Sequence, residues 1–351
     1  MQAYSRRDVM RAMAMMSASI GAVEAGMLKP ARAERDFIWA STGGAWGEHL
    51  NSIFIQQGNF AADAKVTPTP SFQLESIASS KILVANGNPP YDVSNHGQAE
   101  VTVLQKAGLL LPYKVALMPN YADVHDTAKM GDFYASTSFL LFGLSWNTKL
   151  IAKAPTSFDA LLAPDLKGKV GVPAFGWYGM YWLHGLNKAL GGNEDNMDPG
   201  MKYATELVRK NSAVIVENAD HARKLFQQEE IVMSPFWNGI SAQLQKANVP
   251  VKFEAVPGTL AIGTGFVILK GTPYEEAANK LVNITLDPKL QVAFSSWNMY
   301  PPTNRRAVLP PELDNIRVTE AQLANTVALD WTKVADRRAE YLKRWNEEVL
   351  G

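Results

Sequence analysis

The chain has 351 residues, 47% of them apolar, which is more than one hydrophobic core usually holds, so two domains are expected. Its 34 basic residues balance 34 acidic ones, which excludes the net basic surface that nucleic acid or an anionic membrane requires. It has no cysteine, so disulfides, thiolate catalysis and cysteine metal sites are excluded together.

The N-terminus reads Ser5-Arg6-Arg7-Asp8-Val9-Met10-Arg11, then a weakly apolar run from Ala12 to Leu28, then Ala31-Arg32-Ala33. A charged head, a short apolar middle and a small-x-small exit have the layout of an export signal, and the adjacent arginines point to the twin-arginine route. Residues 1–33 are therefore expected to be a twin-arginine signal peptide, with the mature protein in the periplasm. The run contains Glu24 and is too short and polar to remain as a membrane span, so the mature product reads as soluble.

Phe37 to Ala40 reads as a short buried strand, Ser41 to Gly44 as a loop, and Trp46 to Gln57 as a helix burying Leu50, Ile53 and Phe54. Val66 to Pro70, with its prolines, fits an edge strand, and Leu74 to Ala85 a helix. Tyr91 to Ser94 begins a strand that ends in Asn95-His96-Gly97-Gln98 before a helix over Val101 to Ala107. Phe139 to Trp146 is the next strand, Thr156 to Leu162 a capped helix start, and Lys169 to Pro173 a strand leading through Phe175, Trp177, Tyr178, Tyr181 and Trp182 into a helix. Further alternation follows: helix Met201–Lys210, strand Val214–Val216, helix Ala219–Gln228, strand Ile231–Ser234 and a segment Val251–Val256. Ile262-Gly263-Thr264-Gly265 reads as a loop before a returning strand, Phe266 to Leu269; helices over Tyr274–Thr285 and Pro288–Ser296 come next. The tail from Thr319 to Leu350 has Leu323, Val327, Trp331, Val334, Leu342, Trp345 and Val349 near helical spacing. This order predicts an α/β fold with mainly parallel sheets, whose ligands sit at the carboxyl ends of the strands.

Glu230 to Gly239 (Glu-Ile-Val-Met-Ser-Pro-Phe-Trp-Asn-Gly) is followed in order by Val249-Pro250-Val251, Pro257-Gly258-Thr259, Gly271-Thr272-Pro273, Asp287-Pro288 and Tyr300-Pro301-Pro302-Thr303-Asn304. This series resembles the periplasmic solute-binding proteins of ABC importers, in the spermidine/putrescine-binding branch. The resemblance implies a type II two-lobe periplasmic-binding fold joined by hinge crossings, with lobe I over 34–137 plus 264–305 and lobe II over 138–263 plus 306–351. It also implies a small-molecule ligand, permease subunits in the inner membrane as partners, a monomer, and transport in place of catalysis. Trp237 matches the family's cleft tryptophan. The carboxylates of a polyamine site do not match: Ile262 stands where a second cleft tryptophan is usual, Thr264 two residues on, and Phe175 and Tyr178 where an acidic pair is expected. An ammonium in a closed cleft needs an opposite charge, so polyamine binding would require relocated acids.

The candidate ligand-binding residues are Trp237 and Asn238, the loop Ser41, Thr42 and Gly43, Trp46, His96, Phe175, Trp177, Tyr178, Thr264, and Asp220, which alternatively serves as a helix N-cap. Small residues at 41–44 and 263–265 are expected to expose N–H groups to an acid, and the aromatics to stack on an apolar body or receive a cationic head. An amino-acid-like solute, an amine or an organic acid or phosphonate follows from that reading. The five histidines (49, 96, 125, 184, 221) form no i,i+3 or i,i+4 pair, and no Tyr-Tyr pair, Walker loop or Gly-x-Ser-x-Gly elbow is present, so no metal or cofactor is expected. A secreted enzyme is the competing class, because twin-arginine leaders often accompany cofactor enzymes.

Overall fold

A computed structural model describes residues 36–41, 44–60, 84–175 and 179–351. The leader, the strand expected over 66–70, most of the helix after it, and Thr42, Gly43, Trp177 and Tyr178 lie outside the described residues. The strands are β1 (Trp39–Ala40), β2 (Val93–Gly97), β3 (Leu110–Leu111), β4 (Ala135–Asn147), β5 (Gly171–Pro173), β6 (Val214–Val216), β7 (Met233–Trp237), β8 (Val251–Glu254), β9 (Thr259–Leu269) and β10 (Thr326–Val327). The helices are α1 (Gly44–Leu50, continued in wider turns to Gln57), α2 (Gln98–Lys106), α3 (Met180–Ala189), α4 (Asp198–Thr205), α5 (Ala219–Gln227), α6 (Asn238–Lys246), α7 (Glu275–Thr285), α8 (Pro288–Asn298), α9 (Glu320–Ala324) and α10 (Trp331–Arg344). Among the described residues no helix is long and apolar enough to cross a membrane.

The main sheet runs β1-β2-β9-β4-β7, with β3 and β10 also on β9 and β8 on β4. A smaller parallel pair, β5-β6, touches β7 through a Val170–Met233 bridge. β1 and β2 are parallel, but β4 and β9 pair antiparallel with each other, and β9 with β2. The sheet is therefore mixed, not mainly parallel, because two long strands carry the chain out and back along one line. All thirteen residues of β4 are buried. A strand covered on both faces reads as a continuous apolar run, as Phe139 to Leu144 does.

Those two strands join two apolar cores. Phe37, Trp39, Phe54, Phe139, Phe266 and Phe294 belong to the first, and Phe142, Val172, Trp182, Phe236, Leu260 and Trp345 to the second. β4 passes from one core to the other between Phe139 and Phe142, and β9 returns between Ile262 and Phe266. Leu323 lies in the first core and Trp331 in the second, so 324–330 makes a third passage, with β10 lying parallel along the start of β9. In the tail, Tyr341 is buried and Leu342 exposed, the reverse of the expected stripe, because Val334 to Tyr341 is a seven-residue step on one helical face.

Ile262 to Gly265 is the middle of an eleven-residue strand and not a loop. Its glycines exist for close approach: a Cβ on Gly263 would lie 2.6 Å from both Ser136 Cβ and Ser138 O, and one on Gly265 2.8 Å from the Tyr134 ring. With nothing but hydrogen there, β4 bulges between Ser136 and Ser138 and still pairs with β9.

Candidate functional site

Where the strands cross, Asn95 of β2 gathers three partners. Its Oδ1 accepts from Thr264 Oγ1 (3.1 Å) and from Trp46 Nε1 (3.3 Å), and its Nδ2 donates to Gly265 O (2.9 Å). The Trp46 indole is thereby pinned to β9. Its ring meets Phe294 at 5.2 Å, Trp297 at 5.5 Å and Tyr300 at 6.4 Å. Tyr300 OH in turn accepts from Trp237 Nε1 at 3.0 Å. Trp237 ends β7, is 4% exposed, stacks on Phe236 at 4.5 Å and meets Phe142 at 5.6 Å. Phe142 meets Tyr181 at 5.9 Å, and Tyr181 meets Trp331 edge to face at 5.8 Å. A continuous chain of aromatic contacts thus runs from Trp46, at the edge of the first core, through Trp237 and Phe142 of the second core to Trp331.

At the Trp331 end lies a cavity of about 570 Å³, bounded by Gln98 and Thr102 of α2, Met130, Leu260 and Ala261 of β9, and the segment 326–332. That volume falls in the range of about 300–1,000 Å³ typical of small-molecule sites. α2 and α10 also meet through the Lys106–Asp336 ion pair at 2.8 Å. The hydroxyls of Ser136 and Thr137 are spent within the crossings, Ser136 Oγ donating to Ser138 O at 2.6 Å and Thr137 Oγ1 to Thr264 O at 2.9 Å. Among the described residues no cluster of His, Asp and Glu has the make-up of a metal site.

The sequence-derived candidates divide. Trp46, Trp237 and Thr264 come together in the network just described. Ser41 follows β1 directly and is buried, while Thr42, Gly43, Trp177 and Tyr178 are outside the described residues. His96 shares β2 with Asn95, but period-two alternation puts it on the opposite face, where its Nε2 lies 2.9 Å from Ser94 Oγ. Burial lowers its pKa to about 4, so it is neutral at neutral pH. Asn238 opens α6 and uses its Oδ1 to accept from Leu141 N (3.1 Å), tying the helix to β4. Phe175 is a core residue, buried and 5.8 Å from Trp345, because the chain turns inward after β5. Asp220 is neither a cap nor a buried acid: Asn218 Oδ1 caps α5, and Asp220 is exposed and paired with Arg223. Gly263 to Gly265 offers no free N–H row, being paired with β2 on one side and β4 on the other. Sequence reasoning missed Asn95, Tyr300, Gln98 and Trp331. The two aromatics lay in motifs already singled out, the Tyr-Pro-Pro run and the tail stripe. Asn95 needed only the parity of β2 to be known.

The site holds indoles, a phenol, carboxamides and hydroxyls, with no nucleophile poised on a base. That set is suited to stacking and hydrogen bonding. Residues 56–319 match the family described as bacterial extracellular solute-binding protein. Solved structures are similar over nearly the whole chain. An ABC transporter structure from Clostridium perfringens superposes with a TM-score of 0.76 at 16% identity, covering 90% of this chain and 100% of the other. An ABC transporter substrate-binding protein from Bradyrhizobium japonicum gives 0.70 at 19%, covering 90% and 99%. A spermidine/putrescine ABC transporter substrate-binding protein from Streptococcus pneumoniae gives 0.70 at 14%, covering 89% and 99%. At these identities the likeness establishes the fold. No curated protein matches the sequence.

Proposed function

We propose, from the premise that this chain belongs to the bacterial extracellular solute-binding protein family, that it closes two lobes around a small solute and hands it to a membrane permease. It is the solute-binding component of an ABC importer and not an enzyme. The carrying observation is the pair of apolar cores joined by β4 and β9, with an aromatic wall and a cavity beside the crossings. Lobe I is assigned the first core and lobe II the second, and the passage of 324–330 between the cores supports a third hinge crossing there. A solute touching both lobes binds the closed arrangement better and shifts the population by that difference in affinity. The protein is exported; the twin-arginine leader would carry it to the periplasm, where it works as a monomer. Polyamine capture loses support, because Thr264 and Phe175 stand where acids would be needed, one bound to Asn95 and the other in the core.

Small-angle scattering with and without solute tests this reading. The expected result is a smaller radius of gyration and a quenched or shifted tryptophan emission on binding. Chemical conversion of the bound compound, or binding with no change in shape, overturns it.

A further inference from the structure

We propose that the cavity between α2 and the segment 326–332 takes an uncharged, hydroxyl-bearing solute of the sugar or sugar-alcohol class, with one solute hydroxyl donating to Gln98 Oε1. This rests on the solute-capture reading above and names its substrate class.

Of the charged residues lining the cavity, Asp126 and Lys129 are paired with each other and Asp330 caps a helix. Asp126 pairs with Lys129 at 3.1 Å and with Arg305 at 3.6 Å. Lys129 also lies over the Tyr121 ring at 4.8 Å. Asp330 spends its Oδ1 on the N–H groups of Thr332 (3.0 Å) and Lys333 (3.3 Å), capping α10. Glu100, although on α2, does not line the cavity. Among the described residues lining the cavity, an entering carboxylate would meet no unpaired cation, and an ammonium would meet only Asp330, whose carboxylate is exposed to water and screened.

What the cavity leaves uncommitted is neutral. Gln98, at the start of α2, is 7% exposed, and its Oε1 has no donor among the described residues. A buried acceptor without a donor is costly, and a hydroxyl satisfies it without bringing a charge. Of the neighbouring hydroxyls, Thr102 Oγ1 donates to Gln98 O and Thr326 Oγ1 to Leu323 O, and Gln105, Thr127 and Thr332 add further neutral polar groups to the lining. Met130, Leu260, Val327 and Trp331 also line the cavity and offer apolar surface for the C–H face of a sugar ring.

The test is a thermal-shift and calorimetric panel on the mature protein with monosaccharides, sugar alcohols, putrescine, 4-aminobutyrate, glutamate and succinate. A sugar or sugar alcohol should raise the melting temperature and the charged compounds should not. Gln98→Leu should weaken that binding about tenfold without lowering the melting temperature of the free protein, because it deletes an unpartnered acceptor. A purely structural Gln98 would instead lower that temperature and leave affinity alone, overturning the assignment. Binding of a charged compound while every sugar is inert overturns the class and leaves solute capture standing. No binding by any member, with no change in scattering, overturns both.

Discussion

His96 offers a direct measurement of how the site region is built. Burial against the crossing strands holds its pKa near 4, against 6.5 for an exposed histidine. The folded value lies below the unfolded one, so above pH 6.5 both states are neutral and nothing is lost. As pH falls below 6.5 the unfolded chain takes up a proton that the folded chain refuses, and stability drops until about pH 4, where both are protonated. At pH 5 this group alone costs about 2 kcal/mol, and about 3 kcal/mol once the full shift is crossed. Melting temperature or urea midpoint, measured for the wild type and for His96→Gln at pH 7 and pH 5, isolates that share. The variant should lose about 2 kcal/mol less than the wild type between the two pH values. His184, also lowered by burial, acts in the same direction in both proteins and cancels in the comparison. An imidazole signal of His96 titrating near 6.5, or equal pH slopes for the two proteins, would refute the burial argument.

The β4–β9 contact predicts that Gly263→Ala destabilises by several kcal/mol or prevents folding, because the new methyl meets Ser136. Adding Ser136→Gly should restore part of the melting temperature, and no rescue would show that the Ser136 side chain is not the obstacle. Phe175→Ala should cost about 3–5 kcal/mol in a urea titration while leaving solute affinity within twofold, since it removes core and not cleft. Asn218→Ala should cost about 1 kcal/mol through the lost cap of α5, whereas Asp220→Ala should change stability by less than about 0.5 kcal/mol. Equal costs for the two would put the cap on the wrong residue.

The fold was largely readable because long apolar runs leave few choices. Phe139 to Trp146 had to be a buried strand, and the Trp237 motif had to end one at a helix start. What the sequence concealed was register. Asn95 and His96 are adjacent, and either could have faced the crossings; only pairing with β9 places Asn95 against Thr264 and His96 behind it. Gly263-Thr264-Gly265 has the composition of a ligand loop, yet the same small size serves a close strand contact, and local propensity cannot distinguish the two uses. Phe175 was misplaced for a related reason: an aromatic after a strand end turns toward ligand or core according to the direction of the chain, which Trp345, 170 residues later, decides.

The same register explains why so little charge is found at the crossings. β4 is buried throughout and β9 nearly so, so polar side chains at the crossings are stabilised by partners inside the sheet. Asn95 finds Trp46, Thr264 and Gly265, Thr137 finds Thr264 O, and Ser136 finds Ser138 O. An acid at position 264 would lie beside Asn95 Oδ1, lose its only neighbouring donor arrangement and repel the oxygen it faced. Replacing Thr264 by Asp should therefore weaken the Trp46–Asn95 contact and lower the melting temperature before any gain in amine binding could be realised. A Thr264→Asp protein as stable as the wild type would show that the hinge tolerates a carboxylate, and the neutrality of the site would then need another cause.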